Sequence, residues 1–197
     1  MRRSWLLVVL SLSLTAVPAL GQEGEGEAPV TVEEEGVHGR SAFKSPGGLL
    51  DRSTHKRDME LIFQLGLPYG YYFGGFGLGL AARFYYPIVP DGFISSINDE
   101  FGLEGGVDVM FYFSYLSTYS PVRLDIPVAA RWSFHLTDAW TVFAKLGLGI
   151  GIWPGAYYSV WFVGEGGVGA IYKLSDVISL RLDVGYPWAK FGVVIAL

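Results

Sequence analysis

Ser133-Phe-His135 places a hydroxyl and an imidazole two residues apart within an alternating segment of the 197-residue chain, which has three histidines and no cysteine. In an extended strand, residues two apart share a face, so this spacing suits a nucleophile and its general base. No acid that would orient the imidazole stands out in the sequence, and a Ser/His pair alone makes a weak case for catalysis. His38 and His55 lie in a charged, glycine-containing leader, apart from His135. A histidine metal centre is therefore not expected, and the lack of cysteine excludes thiolate ligands, disulfides and cysteine acylation. The expectation is no metal, no cofactor and no enzyme.

The charges say more. From Met59 onward the cations are Arg83, Arg123, Arg131, Lys145, Lys173, Arg181 and Lys190, and each falls in step with a two-residue alternation. Between Val122 and Leu136 the even positions are Val, Leu, Ile, Val, Ala, Trp, Phe and Leu; the odd ones are Arg, Asp, Pro, Ala, Arg, Ser and His. A period of two is that of a β-strand with one apolar and one polar face. Alternating segments fall at about 60–67, 73–87, 102–116, 121–136, 140–153, 160–174, 177–186 and 188–197. The short connections at 136–140 and 174–177 read as hairpin turns at one end, joined there by the longer connection from Val89 to Glu100. Pro127 falls inside a strand, where a closed sheet has no edge to accept it, so a bulge is expected there.

One phase gathers the charges: Glu60, Gln64, Arg83, Tyr85, Glu104, Asp108, Tyr112, Arg123, Asp125, Arg131, His135, Lys145, Glu165, Lys173, Arg181, Asp183 and Lys190. The other phase holds Leu61, Phe63, Leu65, Leu78, Leu80, Phe111, Phe113, Leu146, Leu148, Ile150, Phe162, Phe191 and Val193 among others, and no charge. Eight strands enclose an interior only just filled by side chains. The apolar set is too bulky for it, whereas the polar set is interleaved with Gly75, Gly77, Gly79, Gly147, Gly149, Gly151, Gly167 and Gly169. A cation facing lipid at the midplane costs about 2–4 kcal/mol, so a charge-free face belongs outside, in a membrane. The expected fold is all-β, an eight-stranded antiparallel up-and-down transmembrane β-barrel. Tyr72, Tyr115, Trp132, Trp140, Trp153, Tyr158, Trp161 and Trp188 fall near the strand ends, as membrane-interface aromatics do.

On this architecture residues 59–197 resemble the small outer-membrane barrels of the OmpA/OmpX type, without the peptidoglycan-binding domain that OmpA carries. The segment Lys190-Phe-Gly192-Val-Val-Ile195-Ala-Leu197 is similar to the signal by which barrel-assembly machinery recognises a last strand, with Leu197 where an aromatic is usual. The resemblance implies outer-membrane lipid and lipopolysaccharide as surroundings, and barrel-assembly machinery and periplasmic chaperones as partners during biogenesis. Nucleic acid is not an expected partner.

The N-terminal segment fits export. Arg2 and Arg3 precede an apolar run from Trp5 to Val17, too short for a membrane span, and Pro18-Ala-Leu-Gly21 offers a cleavage site. Residues 1–21 are thus expected to be a signal peptide, and 22–58, rich in Glu and Gly, a disordered acidic periplasmic tail. Inside the barrel, hairpin closure places Lys145 beside Glu165, Glu104 beside Arg131 and Asp183 near Lys190. The expected role is structural, with a charge-paired lumen formed by Glu60, Arg83, Glu104, Asp108, Arg123, Asp125, Arg131, Lys145, Glu165, Lys173, Arg181, Asp183 and Lys190. The alternative is a narrow pore for small ions or solutes, with the glycines leaving water-filled gaps; an outlying one, implied by the resemblance, is a lipid A-modifying enzyme, a lipid hydrolase using Ser133 and His135.

Overall fold

A computed structural model describes residues 42–68, 76–113, 122–154 and 159–197. The alternating segments form eight strands: β1 (Glu60–Pro68), β2 (Phe76–Val89), β3 (Asp99–Phe113), β4 (Val122–His135), β5 (Trp140–Trp153), β6 (Ser159–Lys173), β7 (Ile178–Tyr186) and β8 (Trp188–Ala196). Each pairs antiparallel with its sequence neighbours, and β1 pairs with β8 to close the barrel. The architecture is all-β, an eight-stranded up-and-down barrel in which every strand pairs on both sides, with the first half of β6 running on beyond its rungs to β7. Among the described residues no helix is long and apolar enough to cross a membrane.

Alternation divides the wall into two faces, as its period requires. Arg83, Glu104, Asp125, Arg131, Lys145, Glu165, Arg181, Asp183 and Lys190 are buried inside. Outside, Phe162 is 87% exposed, Leu146 75% and Leu148 68%. Gly79, Gly151 and Gly169 make room for rings, whereas Gly147, Gly149 and Gly167 lie against the backbone of the neighbouring strand. A Cβ on Gly79 would lie 1.8 Å from the Trp188 ring, and one on Gly169 would lie 2.3 Å from Phe143.

Two local expectations change. There is no bulge at Pro127, whose register with β5 is regular. On the other side the ladder omits the rungs opposite Pro127 and Ile126, yet Gly105–Val128 and Asp108–Asp125 keep one register. The missing N–H removes hydrogen bonds without inserting a residue. The irregularity lies instead between Pro87 and Val89, where Ile88 has no partner on β3. Beyond it β3 starts at Asp99, ahead of its expected first residue, and this carries Glu100 into the interior.

The tail from residue 42 onward is not disordered. It belongs to the same compact unit as the barrel and forms a strap across the end that carries the hairpin turns. A 3-10 turn at Ala42–Lys44 leads to Leu49, whose N–H donates to Leu136 O at 3.2 Å and whose carbonyl accepts from Asn98 N at 2.7 Å. Asn98 Nδ2 donates to Gly47 O at 3.2 Å, which ties the strap to the β2–β3 connection. Composition suggested a solvated coil because few of these residues are apolar; backbone and amide hydrogen bonds hold the strap instead.

Candidate functional site: the charged interior

β3, β6 and β7 supply the central acids, and β2, β4, β5, β7 and β8 supply the cations around them. Glu104 is fully buried and accepts from Arg181 at 2.7 and 3.1 Å and from Arg83 at 3.1 Å. Lys145 lies 3.5 Å and Arg131 3.6 Å from the same carboxylate. Glu165 accepts from Arg83 at 2.7 Å and from Lys190 at 3.2 Å, and lies 2.7 Å from Lys145. Asp183 takes Arg181 and Lys145, each at 2.7 Å, and Gln64 at 3.1 Å. Arg83 also donates to Asp108 with both its Nε and one terminal nitrogen. Removing charges from water costs several kcal/mol per ion, and only several good contacts each can offset that.

Towards the end bearing the strap, Arg131 makes a two-pronged contact with Glu60 at 2.7 and 2.9 Å and stacks 3.3 Å above the Tyr85 ring. Glu100 links this group to the strap. Its carboxylate accepts from Tyr85 at 3.2 Å and Arg131 at 3.4 Å, and Arg57 Nε lies 3.3 Å away. Burial draws the Arg57 guanidinium below its ordinary value, while Glu100 and Asp91 pull it back up. The strands supply the cations Arg83, Arg123, Arg131, Lys145, Arg181 and Lys190 against the acids Glu60, Glu100, Glu104, Asp108, Asp125, Glu165 and Asp183. Arg57, from the strap, is the cation that makes the two sets equal.

At the opposite end Arg123 pairs with Asp125 at 2.6 and 2.8 Å and lies 5.1 Å from the Trp161 ring centre. Beneath them Ala81, Met110, Tyr112 and Trp188 form an apolar plug, against which Trp153 packs. The interior is thus closed by rings at one end and ion pairs in the middle.

Of the expected pairs, Lys145–Glu165 and Glu104–Arg131 meet as hairpin closure suggests. Asp183 and Lys190 are register partners, but Lys190 turns to Glu165 and Asp108 instead. Lys173 is a correction: it sits on the rim, half exposed, paired with Asp176 at 2.8 Å, because β6 ends there and the side chain is free of the lumen. Glu100 and Arg57 were missed; parity with Glu104 identifies the first, whereas nothing periodic marks the second.

The interface aromatics divide. Trp132 and Trp140 face outward, ringed by Phe134 and Tyr172 at centroid distances of 5.2 and 4.8 Å. Trp153, Trp161 and Trp188 are corrections, since they share parity with Lys145, Glu165 and Lys190 and turn inward; Trp188 is 1% exposed. Tyr72, Tyr115 and Tyr158 lie outside the described residues. In β8, Lys190 and Gly192 point inward, and a Cβ on Gly192 would lie 1.9 Å from Phe63 O across the closing seam. Leu197 is exposed and donates its N–H to Met59 O at 2.9 Å.

Ser133 and His135 share a face, but no hydrogen bond joins them. Ser133 Oγ is buried without a hydrogen-bond partner among the described residues. His135 Nδ1 lies 2.9 Å from Thr141 Oγ1, its cross-strand partner, and Nε2 lies 3.5 Å from Glu100. Among the described residues no group of three or more His, Asp or Glu side chains is placed to hold a metal ion. No protein-family model matches the chain, and none of the curated proteins compared with it is similar to it.

Proposed function

We propose that this chain is an integral outer-membrane β-barrel with a structural role in the cell envelope, its lumen plugged by its own ion pairs. The contrast between the faces of one wall carries this reading. Inside, Arg83, Glu104, Arg131 and Arg181 are removed from solvent and paired. Outside, large apolar side chains such as Phe162 and Leu146 are left exposed around the barrel. In water such a surface would cost about 25 cal/mol per Å² of apolar area and favour aggregation; in a lipid bilayer it is the required solvent-facing surface. Shortest strands of nine residues are also long enough to span a bilayer when tilted.

On this reading the strap and hairpin turns lie in the periplasm, and lipid and lipopolysaccharide contact the wall. Barrel-assembly machinery and periplasmic chaperones act during biogenesis through β8, with Lys190, Gly192, Ile195 and Leu197 as the recognised end. The packed interior supports a plug over a pore, because open aqueous channels require about 16 strands.

Two measurements test this. Purified protein in planar bilayers is expected to give no single-channel steps, and steady steps would overturn the plug. Folded protein is expected to need detergent and to shift mobility on heating in a detergent gel. A monodisperse monomer without detergent would overturn the membrane assignment.

A further inference from the structure

We propose that the β2–β3 connection, residues 90–98, and the strap beside it form a docking surface for phospholipid headgroups at the periplasmic face of the membrane. Phe93 is the wedge that enters the leaflet, and Arg52 is the contact for the headgroup phosphate. This rests on the membrane-barrel reading.

The connection does not simply project from the barrel end. Asp99, Phe101 and Trp132 have outward parity, since Glu100 and Arg131 beside them point inward. Asp99 is nevertheless buried, because the connection folds back over the outside of the wall and caps it. Phe93 N and Ile94 N donate to its carboxylate at 3.1 and 3.4 Å, and Trp132 Nε1 donates at 2.7 Å. Gly92 permits the turn with φ +59°, and a Cβ there would lie 2.1 Å from the Asp99 carboxylate carbon. The fold-back is therefore held by a specific acid in a specific place.

Its result is an aromatic step on the outer surface. Phe93 packs on Phe101 at 5.2 Å and Trp132 at 6.1 Å between ring centres, yet remains 62% exposed; Ile94 beside it is exposed too. This apolar edge is continuous with the outward face of β3 and β4, where aromatic side chains suit a membrane–water boundary.

The polar side of the step matches a headgroup in charge. A cleft of about 310 Å³ beside Phe93 is lined by Arg52, Thr54, Asp91 and Ser95, with Asp51, His55 and the buried Asp99 also on its wall. Arg52 forms no ion pair among the described residues, whereas Asp51 is occupied by Gly47 N, Ser53 N and His55. Asp91 accepts from His55 N and faces the same cleft. Arg52 and Asp91, on the wall of one cleft, offer a cation for the phosphate and an acid for the ammonium of a zwitterionic headgroup, with Thr54 and Ser95 as further donors.

Because the chain lacks cysteine, Phe93→Cys, Leu148→Cys and Asp176→Cys each carry a single spin label. The proteins are folded into vesicles of phosphatidylethanolamine and phosphatidylglycerol, and collision with oxygen is compared with collision with a water-soluble nickel chelate. The label at 93 is expected roughly 5–10 Å below the headgroup plane, and the one at 176 in water. Arg52→Glu is expected to move the label at 93 toward water; an unchanged depth would overturn the headgroup contact. Ile94→Cys repeats the measurement with the Phe93–Trp132 packing intact. Nickel access at 93 and 94 equal to that at 176, with 148 protected, overturns the docking surface and leaves the membrane barrel standing. Nickel access at 148 overturns both.

Discussion

Glu104 concentrates the chemistry of the interior in one side chain. It is fully buried, with Arg181, Arg83, Lys145 and Arg131 all within 3.6 Å of its oxygens. Glu104→Ala would leave four cations facing one another around a cavity. A loss of about 3–5 kcal/mol is expected, measured by urea unfolding from lipid vesicles. Glu104→Gln keeps the shape and an acceptor, so it should lose less; equal stability of the Ala variant and wild type would show that the network does not hold the barrel. Gly79 tests the opposite change, because any side chain there collides with Trp188. Gly79→Ala is expected to cost about 1–3 kcal/mol by overpacking in the same assay. At this scale parity alone carries far. It places Trp188 with Lys190 and Glu100 with Glu104, and a reading by residue type, which sends tryptophan to the membrane interface, goes wrong at Trp153, Trp161 and Trp188.

The strap is the element that strand periodicity could not reveal. It crosses the barrel end through Leu49, which is tied to Leu136 and Asn98, and through Arg57, which supplies the cation that equalises the interior charges. In Arg57→Ala, hydrogen exchange at the Leu49 amide is expected to speed up, while amides in β5 and β6 stay protected. Unchanged exchange at Leu49 would assign the strap to its backbone contacts alone. Asp51 shapes the same segment. Backbone N–H groups of Gly47 and Ser53 hold its carboxyl well below the ordinary aspartate value of 3.8. A depressed value in the folded state means that this contribution is present above 3.8 and is lost as pH falls below it. Strap protection, corrected for intrinsic exchange, is thus expected to be constant from neutral pH to about 5 and to decline under stronger acid. Asp51→Asn should reproduce that decline at neutral pH. Pro127 belongs to this scale as well: a strand with two neighbours tolerates a missing donor without a bulge when flanking rungs keep their register.

For the whole molecule, the decisive question is which solvent meets the outward face. Leu146 lies mid-strand in β5 and is 75% exposed. Leu146→Arg is expected to destabilise the barrel in lipid vesicles by about 2–4 kcal/mol. A neutral or stabilising effect would mean that the face meets water, against the membrane assignment.

The sequence by itself determined that there are eight strands, close to where each begins and ends, and which side chains share a face. Those are consequences of a period of two, which needs only local backbone geometry. Hairpin closure read from the sequence also placed Lys145 with Glu165 and Glu104 with Arg131, whereas the tertiary structure alone decided the partners across the lumen. Arg131 reaches Glu60, 71 residues away in sequence, because closing the sheet brings side chains together across the lumen and long guanidinium arms span it. Closure also set Lys190 on Glu165 and Asp108 when its register partner was Asp183. The strap and the caged Asp99 depend on surfaces that exist only once the barrel has formed, so no local pattern encodes them.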